Sequence, residues 1–230
     1  MIRKAASKNT IKNGFRLRGH EVKRIEAFSD AVFGFAVTLL IVSLEVPQNF
    51  EELITVLQGF LPFGISFLFL MLIWHEQNIF FRRYAMDDAL IVALNCALIF
   101  IVLFFVYPLK FLFTLVFSDS HSAMTIEQVP LLMTIYGAGF TIIYFIFFLM
   151  YNVALKRSEV LELTASERFE TKTKIYMHVI FMCIGGFSIA LAWLLPLQQS
   201  GSAGIFYSVI GPALTIYFSY RSKIKRRLQL

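Results

Sequence analysis

The chain has 230 residues, of which 58% are hydrophobic and only 16% charged, with 26 phenylalanines. Mean hydropathy is +0.70, and a soluble domain would be about a quarter charged, so composition excludes a soluble globular domain and marks an integral membrane protein. The net charge of +6 sits on Lys and Arg that flank apolar runs, where such residues set topology; it does not describe a nucleic-acid surface.

A hydrocarbon core about 30 Å thick takes roughly 20 helical residues, and six runs meet that length. The first extends from about Phe28 to Val46 and stops at Pro47. The second covers about Leu53 to His75, with Pro62 and Gly64 marking a kink. The third covers about Ala89 to Phe117, the fourth Leu131 to Leu155, the fifth Ile175 to Leu195 and the sixth Ala203 to Tyr220. The segment before the first run is long, polar and basic, and no small-x-small site follows the run, so it is expected to stay as a membrane helix rather than to be cleaved.

The connections alternate in charge. Arg16, Arg18, Lys23 and Arg24 precede the first run, and only acids follow it. Arg82 and Arg83 follow the second run, Lys156 and Arg157 the fourth, and Arg221 to Arg227 the sixth. By the positive-inside rule both termini are cytoplasmic, which requires an even number of spans. The expected organisation is a basic cytoplasmic segment at 1–27, one six-helix membrane domain at 28–221 and a basic tail at 222–230. Cys96 and Cys183 lie inside apolar runs and read as small buried residues, with neither disulfide nor metal-ligand spacing. Gly137, Gly139, Gly185 and Gly186 permit close helix contact. His178 is expected at the interfacial start of the fifth helix.

The first run is entered through Arg24, Phe28, Ser29 and Asp30. A carboxylate at the threshold of a membrane helix is costly unless it has a partner or an ion to handle. On a helical wheel Ala31, Phe35, Thr38, Val42 and Glu45 form one stripe with Leu39 at its edge, and Asp30 lies about 140° from Phe35. The stripe fits either a lumen or ordinary helix packing. Around a shared axis it would give apolar rings, which gate by dewetting, and one hydroxyl ring at Thr38, with Glu45 at an outer mouth. Asp30 instead must face protein; Arg24, Trp74, His75, Glu76 and Asn95 are the candidate partners, and a structural lock between helices competes with direct ion binding.

Arg-x-x-x-Phe-Ser-Asp at Arg24 to Asp30, continued by Phe-Gly-Phe-Ala-Val-Thr-Leu-Leu and by Glu45 and Pro47, resembles the signature of the transmembrane protein 175 family. Its bacterial members are relatives of the endosomal and lysosomal potassium channel. The resemblance implies an all-α membrane protein with six helices per subunit, assembled as a homotetramer in the plasma membrane, and a passive, potassium-preferring channel lined by the first helix. It implies apolar constrictions at Phe35, Leu39 and Val42 and a threonine layer at Thr38, where permeant K+ passes. It also implies a helix-orienting network of Arg24, Phe28, Ser29 and Asp30 with Trp74 and His75. The family's first apolar pore position is usually Ile or Leu, and here it is Phe35. The second helix often ends in paired histidines, and here it ends in Trp74, His75, Glu76 and Gln77.

A proton-coupled transporter using Asp30, His75 and Glu76 is the competing reading, opposed by the absence of an internal repeat. No convergent set of nucleophile, base or metal ligands supports an enzyme, and no cofactor is implied.

Overall fold

A computed structural model describes residues 11–12, 15–19, 21–42, 47–117 and 125–228. Apart from a two-residue antiparallel pair, Ile11–Lys12 (β1) with Phe15–Arg16 (β2), the secondary structure among the described residues is helical. The helices are α1 (Arg24–Val42), α2 (Phe50–Gln58), α3 (Phe60–Tyr84), α4 (Ala89–Phe117), α5 (Val129–Lys156), α6 (Ala165–Leu194) and α7 (Ile210–Arg227). Short turns at Leu197–Gln199, Ser202–Ile205 and Phe206–Val209 lead into α7.

Local chemistry sets these bounds. The Asp88 carboxylate accepts from the amides of Leu90 and Ile91 and opens α4. Thr164 caps α6 in a reciprocal box with Glu167. Ala85, at φ 51°, closes α3 in the left-handed conformation while its N–H reaches the Phe81 carbonyl. Pro196 keeps α6 from continuing past Leu194.

Five stretches among the described residues are long and apolar enough to cross a bilayer: Phe60–Tyr84, Ala89–Leu112, Ile126–Lys156, Ala165–Leu194 and Leu197–Arg227. The α1 helix is described as far as Val42, where the described residues stop until Pro47.

Several boundaries differ from the sequence reading. The break expected at Pro62 and Gly64 lies at Gly59, between α2 and α3, and Pro62 sits in the first turn of α3, where its missing N–H leaves no bond unmade. The α3 helix runs on past His75 to Tyr84, and α6 begins at Ala165 rather than near Ile175. The α7 helix passes through the expected tail to Arg227. Cys96 and Cys183 are free but exposed on the subunit surface, not buried.

Among the described residues the core is one large apolar cluster, with smaller ones around Met133, Ala192 and Ala203 and around Phe140, Met177 and Phe181. Phe33, Ala36 and Leu40 of α1 join Leu70 and Ile73 of α3, Leu98, Val102 and Phe105 of α4, and Ile143, Phe147 and Met150 of α5. The α5 and α6 backbones approach closely because both lack a side chain where they cross. A Cβ on Gly137 would lie 2.4 Å from Ile189 and 3.1 Å from the Gly185 carbonyl; one on Gly185 would lie 2.4 Å from the Thr141 hydroxyl. Gly139 admits the Phe105 ring, whereas Gly186 faces open space.

The basic helix ends gather on one side of the bundle. Lys23 pairs with Asp87 at 2.9 Å, Arg157 with Asp88, and Lys225 with Glu170 at 2.5 Å. These bonds tie the start of α1 and the ends of α5 and α7 to the α3–α4 turn and the first turns of α6.

Candidate functional site: the exposed face of the first helix

The α1 helix divides lengthwise. Ser29, Phe33, Ala36 and Leu40 are buried against α3 and α4. Phe28, Ala31, Gly34, Phe35, Thr38 and Ile41 are exposed, with Phe35 57% and Ile41 51% open. At 100° per residue this exposed arc is centred on Thr38. Leu39 is half-buried at one edge and Asp30 lies at the other.

Thr38 Oγ1 donates to the Gly34 carbonyl at 3.0 Å. That bond commits the hydroxyl proton to the helix, so the oxygen's remaining capacity is as an acceptor on the exposed face. The backbone of Val42 closes α1, and Glu45 lies outside the described residues. Ile41 was not anticipated from the sequence, although it lies on the same arc as Thr38, three residues on.

Two polar contacts fix the azimuth of this helix, one at the edge of the exposed arc and one in the middle of the buried arc. The Trp74 indole N–H donates to Asp30 Oδ1 at 2.7 Å, joining α1 to α3. In the middle of the buried arc Asn95 Nδ2 donates to Ser29 Oγ at 2.8 Å, and Ser29 passes its own proton to the Ile25 carbonyl at 2.7 Å. Asn95 Oδ1 in turn accepts from Gln77 Nε2 at 2.5 Å. Ser29, Asn95 and Gln77 are all buried, so the chain is a polar thread through the apolar core.

The sequence reading of this network is therefore half right in its partners. Trp74 holds Asp30 as expected, and Ser29 takes part. His75 is exposed and joins neither contact, because it sits about 100° around α3 from Trp74. Gln77, one turn beyond Trp74, is the partner that was missed; it stands between Glu76 and Asn78 in a polar stretch, where nothing in the sequence singles it out. Asn95 serves Ser29, not Asp30. Arg24 and Phe28 are exposed at the foot of the arc, Phe28 by 55%.

The family model describing the endosomal/lysosomal potassium channel TMEM175 matches residues 24–108, from the first residue of α1 into α4. A protein of Marivirga tractuosa named potassium channel is 33% identical over 230 residues, spanning 93% of each chain. The chain belongs to the TMEM175 family. A potassium channel of Chryseobacterium sp. is 25% identical over 75% of this chain and 92% of its own. The potassium channel MtTMEM175, crystallised as a variant with a nanobody–MBP fusion, has a TM-score of 0.81 at 30% identity, covering 93% of this chain and 99% of that one. A homologue, from Chamaesiphon minutus, of the lysosomal potassium-selective channel TMEM175 shares the fold with a TM-score of 0.59 at 24% identity, over 86% and 96% of the two chains.

This TMEM175-family member is thus a multi-pass membrane protein with an all-helical bundle. The remaining ionisable groups of its core lie away from α1. Glu76, on the side of α3 opposite Trp74, pairs with Lys174 of α6 at 2.6 Å and accepts from the Tyr151 hydroxyl at 2.7 Å. His178 is buried and not interfacial, because α6 starts so much earlier. Its ring stacks against Phe147 and Tyr144, with Nε2 3.5 Å from Glu76. Asp30, His75 and Glu76 therefore point in three directions.

Proposed function

We propose that this protein is a passive, potassium-preferring cation channel in which four copies of α1 line a central pore. The observation that carries the reading is the exposed arc of α1: bulky apolar side chains at Phe35 and Ile41 with one outward-facing hydroxyl oxygen, that of Thr38, between them. A lone subunit leaves this arc without a partner, and four-fold repetition turns it into layers. Thr38 lies about 4.5 Å from both Phe35 and Ile41 along the axis. Four threonine acceptors replace part of an ion's hydration shell, and the apolar layers restrict passage of water and hydrated ions.

In this reading α1 is the sixth membrane span, Leu39 and Val42 complete the constriction, Glu45 stands at the outer mouth, and both termini face the cytoplasm of a plasma membrane. The gathered basic helix ends support that orientation. The names of the relatives and the TMEM175 family model support potassium as the ion. The proton-coupled alternative needs Asp30, His75 and Glu76 to exchange a proton, and their separation speaks against it.

Purified protein in liposomes should pass K+ down its gradient with no coupling ion and run as a tetramer in detergent. Thr38→Ala should weaken discrimination against Na+. A stable monomer, or flux that requires a pH gradient, overturns the proposal.

A further inference from the structure

Residues 15–19, ahead of α1, are built into the bundle. Phe15 is 1% exposed and meets Tyr84 edge-on, with ring centroids 5.6 Å apart; the Arg83 and Arg18 guanidinium groups lie 4.7 and 5.7 Å from its ring centre. The Arg18 and Gly19 amides both donate to the Arg82 carbonyl at 3.0 Å. Gly19 is required for this approach: a Cβ there would stand 2.7 Å from the Phe81 carbonyl oxygen and 3.0 Å from the Arg82 Cα.

The same segment is bolted to α6. Arg18 reaches both oxygens of Glu167, at 2.8 and 3.1 Å, and its Nε donates to the Leu161 carbonyl at 3.0 Å. The Arg16 amide donates to Glu167 at 2.8 Å. Glu167 is 1% exposed and also caps α6 through the Thr164 amide. A bidentate Arg–carboxylate pair buried to this degree fixes position as well as charge. Lys23 then donates to the Ala85 carbonyl at 2.5 Å, immediately before α1 begins at Arg24.

From these contacts we propose that Phe15, Arg18, Gly19 and Lys23 form a positioning strap that sets the tilt of α1, and through it the Thr38 layer, against the fixed base of α3 and α6. The inference rests on Thr38 forming the selective layer. Thr38 lies about 22 Å along α1 from Lys23, so a tilt of ~5° at the strap moves it by about 2 Å. Ser29 and Asp30 hold the helix rotationally one and a half turns above, and the strap supplies the second point that a direction needs.

The test is the K+/Na+ permeability ratio from reversal potentials of the full-length channel in bilayers. Loss of folded channels scales the current but leaves this ratio unchanged, so the ratio separates positioning from mere stability. Arg18→Gln should lower it about five-fold, the small end of coupling between distant sites, and Arg18→Lys, which keeps a cation opposite Glu167, should recover at least half of the loss. Gly19→Ala, which removes no charge, should lower the ratio as well and decides alone if Arg18→Gln fails to assemble. Wild-type ratios in Arg18→Gln and Gly19→Ala overturn the strap. A wild-type channel without K+ preference instead overturns the reading of Thr38.

Discussion

The Asn95 amide donates to the Ser29 hydroxyl at 2.8 Å and thereby pins α1 to α4 at a point where both side chains are fully buried. Because Ser29 hands its own proton to Ile25 and Asn95 accepts from Gln77, every member of the thread has a partner. Ser29→Ala leaves the Asn95 amide without its acceptor in an apolar core, at a cost of about 1–3 kcal/mol. Melting temperature in detergent should fall accordingly. In a double-mutant cycle Ser29→Ala and Asn95→Ala should be strongly non-additive; simple additivity would show that the bond contributes nothing.

Glu76 and Lys174 pose a different problem. They sit 2.6 Å apart with side chains only 13% and 17% exposed. Removing one charge leaves the other buried without its partner, a loss of about 3–5 kcal/mol, whereas replacing both by apolar or neutral groups of similar size is often neutral. Glu76→Gln should therefore destabilise the protein sharply, and Glu76→Gln with Lys174→Met should restore most of the melting temperature. A double variant as unstable as the single one would mean that the carboxylate matters chiefly to Tyr151 or His178.

Much of the helix plan was legible because hydropathy reports membrane burial directly, and the face of α1 was legible because Phe35 and Thr38 repeat at the helical period. Much of what escaped shares a physical cause: polar groups that are buried only because a residue far away in sequence satisfies them. In sequence the first turns of α6 fit either an amphipathic helix or a loop, yet Glu167, Thr171 and Thr173 are buried there against Arg18, Tyr84 and Arg221. Gln77 was overlooked for the same reason, since its partner Asn95 belongs to the next helix. The break at Gly59 was misplaced onto Pro62 because proline is tolerated in a first turn and only looks like a kink when the helix start is unknown.

At the α3–α4 turn, burial raises the Asp88 carboxyl, but the Arg157 guanidinium and the Ile91 and Leu90 amides outweigh that and hold it below its ordinary value of 3.8. A depressed carboxylate contributes stability that is complete above the ordinary value and is lost as pH falls through the lower, folded one. The pair is about one-third exposed, so its contribution is small, on the order of 0–1 kcal/mol. Arg157→Gln should flatten the fall in melting temperature below pH ~4 and leave the value near neutrality almost unchanged. An unaltered acid limb would remove Asp88 from the acid response.

The Trp74–Asp30 bond decides between a helix clamp and a proton carrier. An indole N–H is donated to Asp30 Oδ1, and an amide oxygen accepts that proton nearly as well as a carboxylate oxygen does. Asp30→Asn should therefore keep the clamp, the assembly and passive K+ flux, with current reduced by less than about ten-fold. Trp74→Phe removes the only donor described for Asp30 and should be the more damaging of the two. A proton carrier reverses this order, since asparagine cannot take up and release a proton at all while phenylalanine leaves the carboxylate intact. Comparing flux of the two variants in liposomes, with and without a pH gradient, separates the readings. Abolished flux in Asp30→Asn together with preserved, gradient-dependent flux in Trp74→Phe would move Asp30 from the scaffold of the channel to its chemistry.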